Sequence, residues 1–282
     1  MPDPGPRRLA VDIGGTTTRV ALVEGMTLRE RREMPTRAQD GPDTLIRRLL
    51  DLVGEVCPRP GLQTVGVACT GRVQGGHVTA VNAATMPGWT DIPLRETRSS
   101  VLGAPVQVIN DARAATLGEW RARAGSTVEN FMFVTVSTGI GSGLILGGRL
   151  HDPPGGRDVG LGFTRGPNGE ALEHGSSGSG LRCAAQAGGY PSVAALFDAA
   201  EDGDAQARRL LHAPFTALAD RLWDAHCLLG LHTICLGGSV GLRVYTGVFL
   251  AGVFKGPDAP VIQAAQLGAD AGLIGAALFA GL

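Results

Sequence analysis

The chain has 282 residues, of which 44% are hydrophobic and 18% are charged, and its formal net charge is −1. This balance is typical of a globular protein large enough for two domains, and it gives no reason to expect a nucleic-acid-binding or membrane-binding surface. The first eight residues, Met1 to Arg8, lack the apolar core of a signal peptide, so the sequence predicts a cytoplasmic protein.

Short apolar runs separated by glycine-containing turns predict a β-meander followed by a helix and two further strands in the first part of the chain. Asp43 is the predicted N-cap of that first helix. The predicted strands are Leu9–Ile13, Val20–Val23, Leu28–Met34, Val65–Ala68 and Val106–Ile109, and the predicted helices are Thr44–Val56 and Ala112–Ala124.

The same pattern starts again at Phe131. It predicts strands over Phe131–Val136, Gly143–Leu146, Arg149–His151 and Thr233–Leu236, a loop over Pro153–Gly189, and helices over Val193–Ala200, Ala205–His212, Phe215–Leu229 and Ala269–Ala280. A strand-turn-strand unit that is followed by helices and then repeated indicates two similar α/β lobes with a cleft between them.

A glycine-rich turn, residues 12–18 (DIGGTTT), lies between the first two predicted strands. Gly14 and Gly15 would let the backbone approach an anion closely, and Thr16 and Thr17 would add hydroxyl donors. The carboxylate of Asp12 would hold Mg²⁺ beside nucleotide phosphates, directly or through water. An ordinary hairpin turn is the alternative interpretation.

A second glycine-rich turn, residues 137–143 (STGIGSG), follows the strand that starts at Phe131. Thr138 and Gly139 are its predicted phosphate-binding residues. Two turns of this kind, facing each other, would hold a polyphosphate between two lobes. The pair therefore predicts a phosphotransferase that uses a nucleotide.

Asn110 and Asp111 lie where a predicted strand runs into a helix. Asp111 would take the proton from an attacking hydroxyl, as a carboxylate does in phosphoryl transfer, and Asn110 would hold a neighbouring hydroxyl. The alternative is a helix N-cap, a position at which Asn and Asp are both favoured.

Gly237, Gly238 and Ser239 follow the strand over Thr233–Leu236. A glycine pair without side chains would let a flat ring lie against the backbone, so these residues are a predicted shelf for adenosine. An ordinary strand-to-helix turn is the alternative.

These motifs, in this order, resemble the ROK family of bacterial sugar kinases and repressors, and within it the N-acetylmannosamine kinases. The matching stretches are 31–36 (RREMPT), 134–139 (VTVSTG), 237–242 (GGSVGL) and 270–277 (DAGLIGAA). The resemblance implies that Asp111 is the catalytic base. It also implies that Gly71, Asn110, Asp111 and Glu173 bind the sugar.

The resemblance implies an α/β, duplicated actin-like (RNase H-like) ATPase fold that has two lobes and a central cleft. The expected N-terminal lobe is residues 1–112, completed by a C-terminal helix at 269–282. The expected C-terminal lobe is residues 113–268. ATP and Mg²⁺ are the implied cofactors, and a homodimer is the implied assembly.

The sequence departs from the family pattern where many members bind structural zinc. The loop between Thr164 and Glu173 contains no cysteine, and Phe163 stands at the position of a zinc-binding histidine, so we expect no zinc site. Gly160 replaces a sugar-binding side chain, and Thr85 stands where an asparagine is common. Other groups, such as Arg157, Asp158 or His174, would then hold the sugar, or the sugar is a different one.

The sequence predicts an ATP-dependent kinase acting on the 6-hydroxyl of a hexose, with N-acetylmannosamine as the first candidate. A glucokinase-type ROK hexokinase and a catalytically weakened sensor of sugar and nucleotide are the alternatives. A DNA-binding repressor is disfavoured, because only Met1 to Arg8 precede the first strand and the net charge is near zero.

Overall fold

The computed structural model describes residues 7–57, 64–83, 85–96, 103–124, 127–156 and 159–282. The described chain forms two compact units. The first contains residues 7–124, 152–156 and Ala269–Leu282, and the second contains residues 127–151 and 159–268.

The first unit is built on a five-stranded mixed sheet. Its strands are β1 (Arg7–Ile13), β2 (Thr17–Glu24), β3 (Thr27–Pro35), β4 (Val65–Cys69) and β7 (Val106–Asn110), and they lie in the order β3-β2-β1-β4-β7. Strands β1, β2 and β3 form an antiparallel meander, whereas β1, β4 and β7 are parallel. A separate hairpin joins β5 (Arg72–Gln74) to β6 (His77–Thr79).

Helix α1 (Pro42–Val56) covers one face of this sheet. Its apolar stripe, which includes Leu45 and Leu49, belongs to the same buried cluster as Leu9 and Val11 of β1. The predicted N-cap at Asp43 is wrong, because Gly41 caps the helix and Pro42 is its first residue. Proline suits this position, since the first N–H groups of a helix need no partner within the helix.

Helices α2 (Asp111–Ala124) and α9 (Ala271–Phe279) both belong to the first unit. Glycine allows them to approach closely, because a Cβ at Gly275 would overlap with the backbone of Ala114. A Cβ at Gly66 of β4 would in turn overlap with the carbonyl of Ala276. The first unit therefore continues through α2, rather than ending at residue 112 as expected, because α2 and α9 pack as a pair.

The sheet of the second unit repeats the first. Its strands are β8 (Phe131–Val136), β9 (Ile140–Leu146), β10 (Arg149–Leu150), β11 (Thr233–Gly237) and β12 (Val261–Ala264), in the order β10-β9-β8-β11-β12. As in the first unit, the first three strands, β8, β9 and β10, form an antiparallel meander. Strands β11 and β12 lie on the other side of β8 and run parallel to it. The predicted duplication is thus present in the strand topology.

The second unit also carries six helices in its described part. They are α3 (Leu172–Ser176), α4 (Gly178–Ala187), α5 (Val193–Glu201), α6 (Ala205–Leu229), α7 (Gly238–Gly241) and α8 (Val244–Val253). The predicted loop over Pro153–Gly189 is wrong where α3 and α4 lie. The two helices predicted on either side of Pro214 are a single helix, α6.

None of the helices in the described ranges is both long and apolar enough to cross a lipid bilayer.

Candidate functional site

In the first unit, three parallel strands end side by side at one edge of the sheet. Ile13 of β1 pairs with Cys69 of β4, and Cys69 pairs with Asn110 of β7. The residues at these strand ends, Asp12, Thr70 and Asp111, are therefore neighbours, although they are far apart in sequence. Ligands commonly bind at this edge in α/β proteins.

Asp111 is the first residue of α2, and its carboxylate is held by several donors. Oδ1 accepts hydrogen bonds from the N–H of Ala112 at 2.8 Å and from Nδ2 of Asn110 at 3.0 Å. The hydroxyl of Thr70 is a further donor. Burial raises the pKa of Asp111, although these hydrogen bonds work in the opposite direction.

Asn110 is itself fixed on both sides of its amide. Its Nδ2 donates to the carbonyl of Gly71 at 3.1 Å, and its Oδ1 accepts from the N–H of Arg113 at 3.1 Å. Gly71 has φ +120°, and a Cβ there would lie 2.8 Å from the carbonyl oxygen of Thr79. Glycine at 71 therefore allows the turn whose carbonyl orients Asn110. Asn110 is also an N-cap, because its Oδ1 accepts the N–H of Arg113 in the first turn of α2.

Asp12 is buried, with 9% of its surface exposed, and its carboxylate lies beside a second carboxylate. Burial, followed by the negative charge of Asp111, raises the pKa of Asp12 to about 7, and Arg19 opposes that rise. Arg19 lies opposite Asp12 on β2, with Nη1 3.5 Å from Oδ2. Thr70 and Arg19 were not predicted from the sequence, because each acts through a partner on another element.

The carboxylate of Asp12 provides an oxygen donor of the kind that Mg²⁺ prefers. The carboxylate of Asp12 faces the start of α9, where Gly272 leaves space: a Cβ at that position would lie 3.1 Å from Oδ2. Burial and then the negative charge of Asp111 disfavour the ionised form of Asp12, which a bound cation would favour. The residues present therefore fit a divalent cation.

The first glycine-rich turn joins β1 to β2. The N–H of Gly14 donates to the carbonyl of Thr17 at 3.1 Å, which closes the turn. Gly15 and Thr16 are exposed at its tip, and a Cβ at Gly15 would meet no atom within 4 Å. Among the described residues, no hydrogen-bond acceptor is found for the N–H of Gly15. The turn thus has the free donors that an anion requires.

The second glycine-rich turn joins β8 to β9 in the second unit. The N–H of Ser137 donates to the carbonyl of Gly139 at 2.9 Å, and the exposed Thr138 lies at the tip. The carbonyls of Ser137 and Thr138 accept hydrogen bonds from the N–H groups of Gly178 and Ser179 at the start of α4. This turn is therefore fixed to a helix N-terminus.

Glu173, in α3, lies directly beneath the second turn. Its Oε2 accepts the N–H of Ile140 at 3.2 Å, and a Cβ at Gly139 would lie 2.9 Å from the same oxygen. One carboxylate oxygen of Glu173 is therefore used to hold the turn. The other, Oε1, has no hydrogen-bond partner among the described residues.

A cavity of about 620 Å³ lies within the second unit, between the second turn and helices α4, α5 and α7. Ser137, Thr138 and Ser239 contribute polar groups to its lining, and Arg182 and Arg243 lie at its wall. Arg243 is itself bound to Asp198 and to Glu201, so its position is fixed. The volume is within the range of small-molecule sites.

The glycine pair beside this cavity has a packing role. A Cβ at Gly237 would lie 2.7 Å from the ring of Phe133, and Gly238, with φ +82°, would overlap with the carbonyl of Val136. Both glycines are thus required by the close approach of β8. Of the three predicted shelf residues, Ser239 is the one that lines the cavity.

At the positions where the sequence departs from the family pattern, two residues are exposed and one is half-buried. Phe163 is 55% exposed, Gly160 precedes a short 3-10 helix, and Thr85 is exposed. His174 is exposed, with Nδ1 3.7 Å from a carboxylate oxygen of Glu170. Residues 157 and 158 lie outside the described ranges.

Comparison with known proteins identifies the family of this chain. The model of the ROK family matches residues 8–281, nearly the whole chain. This chain belongs to the ROK family.

Two curated relatives and one solved structure illustrate the similarity. The N-acetylmannosamine kinase of Escherichia coli O127:H6 is 35% identical over 96% of this chain and 97% of its own length. The bifunctional enzyme NanE/NanK of Brucella melitensis is 38% identical over 95% of this chain, but the chain spans only 53% of that protein. The ROK hexokinase from Thermus thermophilus is 29% identical, with a TM-score of 0.83 and 98% of each chain covered. These matches confirm the predicted α/β, duplicated actin-like fold.

Proposed function

We propose that this protein is an ATP-dependent sugar kinase that phosphorylates the 6-hydroxyl of a hexose, and that the hexose is N-acetylmannosamine. The substrate is inferred from the Escherichia coli relative, which is aligned with this chain over nearly the full length of both. The reaction type is supported by the arrangement of Asp12 and Asp111 at one sheet edge.

The observation that carries the proposal is the environment of Asp111. Phosphoryl transfer needs a group that accepts the proton of the attacking hydroxyl. The carboxylate of Asp111 is oriented by Asn110 and the N–H of Ala112, and burial raises its pKa, which makes it a stronger base than an exposed aspartate. Asp111 accepts the sugar proton, while the amide of Asn110 binds an adjacent hydroxyl.

The glycine-rich turns and the cavity would bind ATP. The N–H of Gly15 and the hydroxyls of Thr16 and Thr17 are the proposed donors to phosphate in the first unit. Thr138 and Gly139 are the proposed donors in the second unit. Ser239 would line the nucleoside site, and Gly237 and Gly238 would form the close-packed turn that positions it. Asp12 would hold Mg²⁺, which when bound neutralises charge on the phosphate oxygens.

Sugar recognition is assigned to Gly71, Asn110 and Glu173 together with Asp111. The carbonyl of Gly71 acts by holding the amide of Asn110. Oε1 of Glu173 is the proposed acceptor for a sugar hydroxyl, since Oε2 holds the second turn. A site with Gly160 and Phe163 offers fewer hydrogen bonds to a hexose than the family pattern, so we expect weak sugar binding.

A coupled assay of ADP release across five sugars tests the proposal. The panel is N-acetylmannosamine, N-acetylglucosamine, glucose, mannose and allose, each with ATP and Mg²⁺. We expect the highest kcat/KM for N-acetylmannosamine. A preference for glucose would instead identify a hexokinase like the Thermus thermophilus relative, and no turnover with any of the five would contradict the kinase.

A further inference from the structure

We propose that Thr36 is a positioning residue for nucleotide binding, because its buried polar groups hold the peptide planes of the first glycine-rich turn. This inference rests on the proposed function, in which that turn binds phosphate. Thr36 lies just after β3, outside the turn itself, and no atom of it is exposed.

Three hydrogen bonds connect Thr36 to the β1–β2 turn. Its hydroxyl donates to the carbonyl of Gly14 at 2.7 Å, and its N–H donates to the carbonyl of Thr16 at 2.8 Å. The hydroxyl of Thr18 lies 3.0 Å from that of Thr36. Since the proton of Thr36 is used on Gly14, Thr18 is the donor in this contact.

The bond to Gly14 determines where the adjacent N–H points. A trans peptide is planar, and its C=O and N–H point in opposite directions. Holding the carbonyl of Gly14 against Thr36 therefore turns the N–H of Gly15 away from Thr36, to the exposed side of the turn. That N–H is one of the proposed phosphate donors.

Arg48 of α1 fixes Thr36 from the other side. Its two terminal nitrogens donate to the carbonyl of Thr36 at 3.1 Å and to that of Pro35 at 2.6 Å. The main-chain N–H, the carbonyl and the hydroxyl of Thr36 are thus all bonded. Arg48 thus ties helix α1 to the segment that holds the turn.

Calorimetric titration with MgADP, without sugar, tests the role of Thr36. Thr36→Val keeps the shape but removes the hydroxyl, which frees the carbonyl of Gly14 to rotate. We expect about tenfold weaker MgADP binding, as the loss of one net hydrogen bond implies. Thr36→Ser restores the hydroxyl and should bind MgADP within about twofold of the unmodified protein.

Two matched controls separate positioning from general destabilisation. Thr116→Val also removes a fully buried hydroxyl, but that hydroxyl bonds within α2 to the carbonyl of Ala112, so nucleotide affinity should not change. Arg48→Met should weaken MgADP binding in the same direction as Thr36→Val. Arg47→Met, which alters the exposed neighbour on α1, should not.

In kinetic assays of the kinase, Thr36→Val should raise the KM for ATP and leave the KM for sugar unchanged. Equal MgADP affinity in Thr36→Val and the unmodified protein would overturn the inference, even if Thr36→Val were less stable. If Thr36→Val does not fold, unchanged affinity in Arg48→Met overturns it. Absence of turnover with every sugar would contradict the proposed function, but the binding comparison would still decide the role of Thr36.

Discussion

Two carboxylates, the buried Asp12 and the half-buried Asp111, lie at the same edge of the first sheet. Burial and the negative charge of Asp111 make ionisation of Asp12 less favourable, and Arg19 compensates only in part. Such an arrangement lowers the stability of the folded protein in the absence of a cation, and it is typical of sites that use the charge for a reaction.

Replacing Asp12 by Asn should therefore stabilise the metal-free protein at neutral and higher pH. The pKa of Asp12 is about 7 when folded, against an ordinary value of 3.8. Because the pKa is raised on folding, the folded protein binds this proton more tightly than the unfolded chain does. Loss of the proton therefore lowers the free energy of unfolding as the pH rises from about 4 through 7. Thermal unfolding in EDTA should show a higher Tm for Asp12→Asn at pH 8.

The same comparison at low pH serves as its control. Near pH 4 the folded protein carries Asp12 mostly in its neutral form, so the two proteins should unfold at nearly equal temperatures. A difference in Tm that stays constant from pH 4 to pH 8 would show that the effect does not come from ionisation of Asp12.

At the scale of elements, the pairing of α9 with α2 depends on a glycine that has no room for a side chain. A Cβ at Gly275 would overlap with the backbone of Ala114, which cannot move without displacing α2. We expect Gly275→Ala to lower the free energy of unfolding by about 2 kcal/mol or more, as overpacking against backbone does.

A second helical glycine provides the matched control. Gly54 lies on the exposed side of α1, and a Cβ there would meet no atom within 4 Å. Gly54→Ala should stabilise the protein by about 0.5–1 kcal/mol, because alanine is the better helix former. Urea unfolding measures both variants, and destabilisation by Gly54→Ala, or none by Gly275→Ala, would contradict the packing described here.

The loop that replaces the family zinc cluster is closed by its own backbone. The N–H of Gly166 donates to the carbonyl of Glu170 at 2.7 Å, and Arg165 forms a β-bridge with Ala171. In the described ranges, no group of three or more His, Cys, Asp or Glu residues could hold a metal ion.

We expect purified protein to contain no stoichiometric zinc, because the loop between Thr164 and Glu173 has no cysteine. Elemental analysis by mass spectrometry measures the zinc content directly. One zinc per chain, retained after dialysis, would show that this loop binds metal in a way that its sequence does not indicate.

Helix α4 and the continuity of α6 were not predicted from the sequence, and the physical reason is the same for both. Gly178, Ser179 and Gly180 at the start of α4 are typical of a loop, but Ser177 caps this helix and Leu181 packs in the core. Pro214 predicts a break, yet α6 continues through it with Phe215 buried. In both places core packing stabilises a helix that the local glycine or proline disfavours.

For the whole molecule, the duplication was predictable from sequence, because each unit repeats a strand-turn-strand pattern with a glycine-rich turn. Strand β12 was not predicted. Asp12 and Asp111 were predictable as candidates, since each lies at the end of a strand. Arg19, Thr36 and Arg48 were not, because their roles depend on hydrogen bonds and ion pairs to residues on other elements.

The identity of the catalytic base is the claim on which the proposed function most depends. Asp111→Asn keeps the shape of the side chain and the hydrogen bonds of Asn110, but it removes the group that accepts the sugar proton. We expect kcat for the preferred sugar to fall by about 10²–10⁴-fold, the usual contribution of a general base.

The decisive measurement is kcat for Asp111→Asn in the ADP-release assay, together with its affinity for MgADP. The predicted result is a loss of turnover with MgADP affinity within about twofold of the unmodified protein, because the glycine-rich turns are unchanged. Turnover equal to that of the unmodified protein would contradict the assignment of Asp111 as the base.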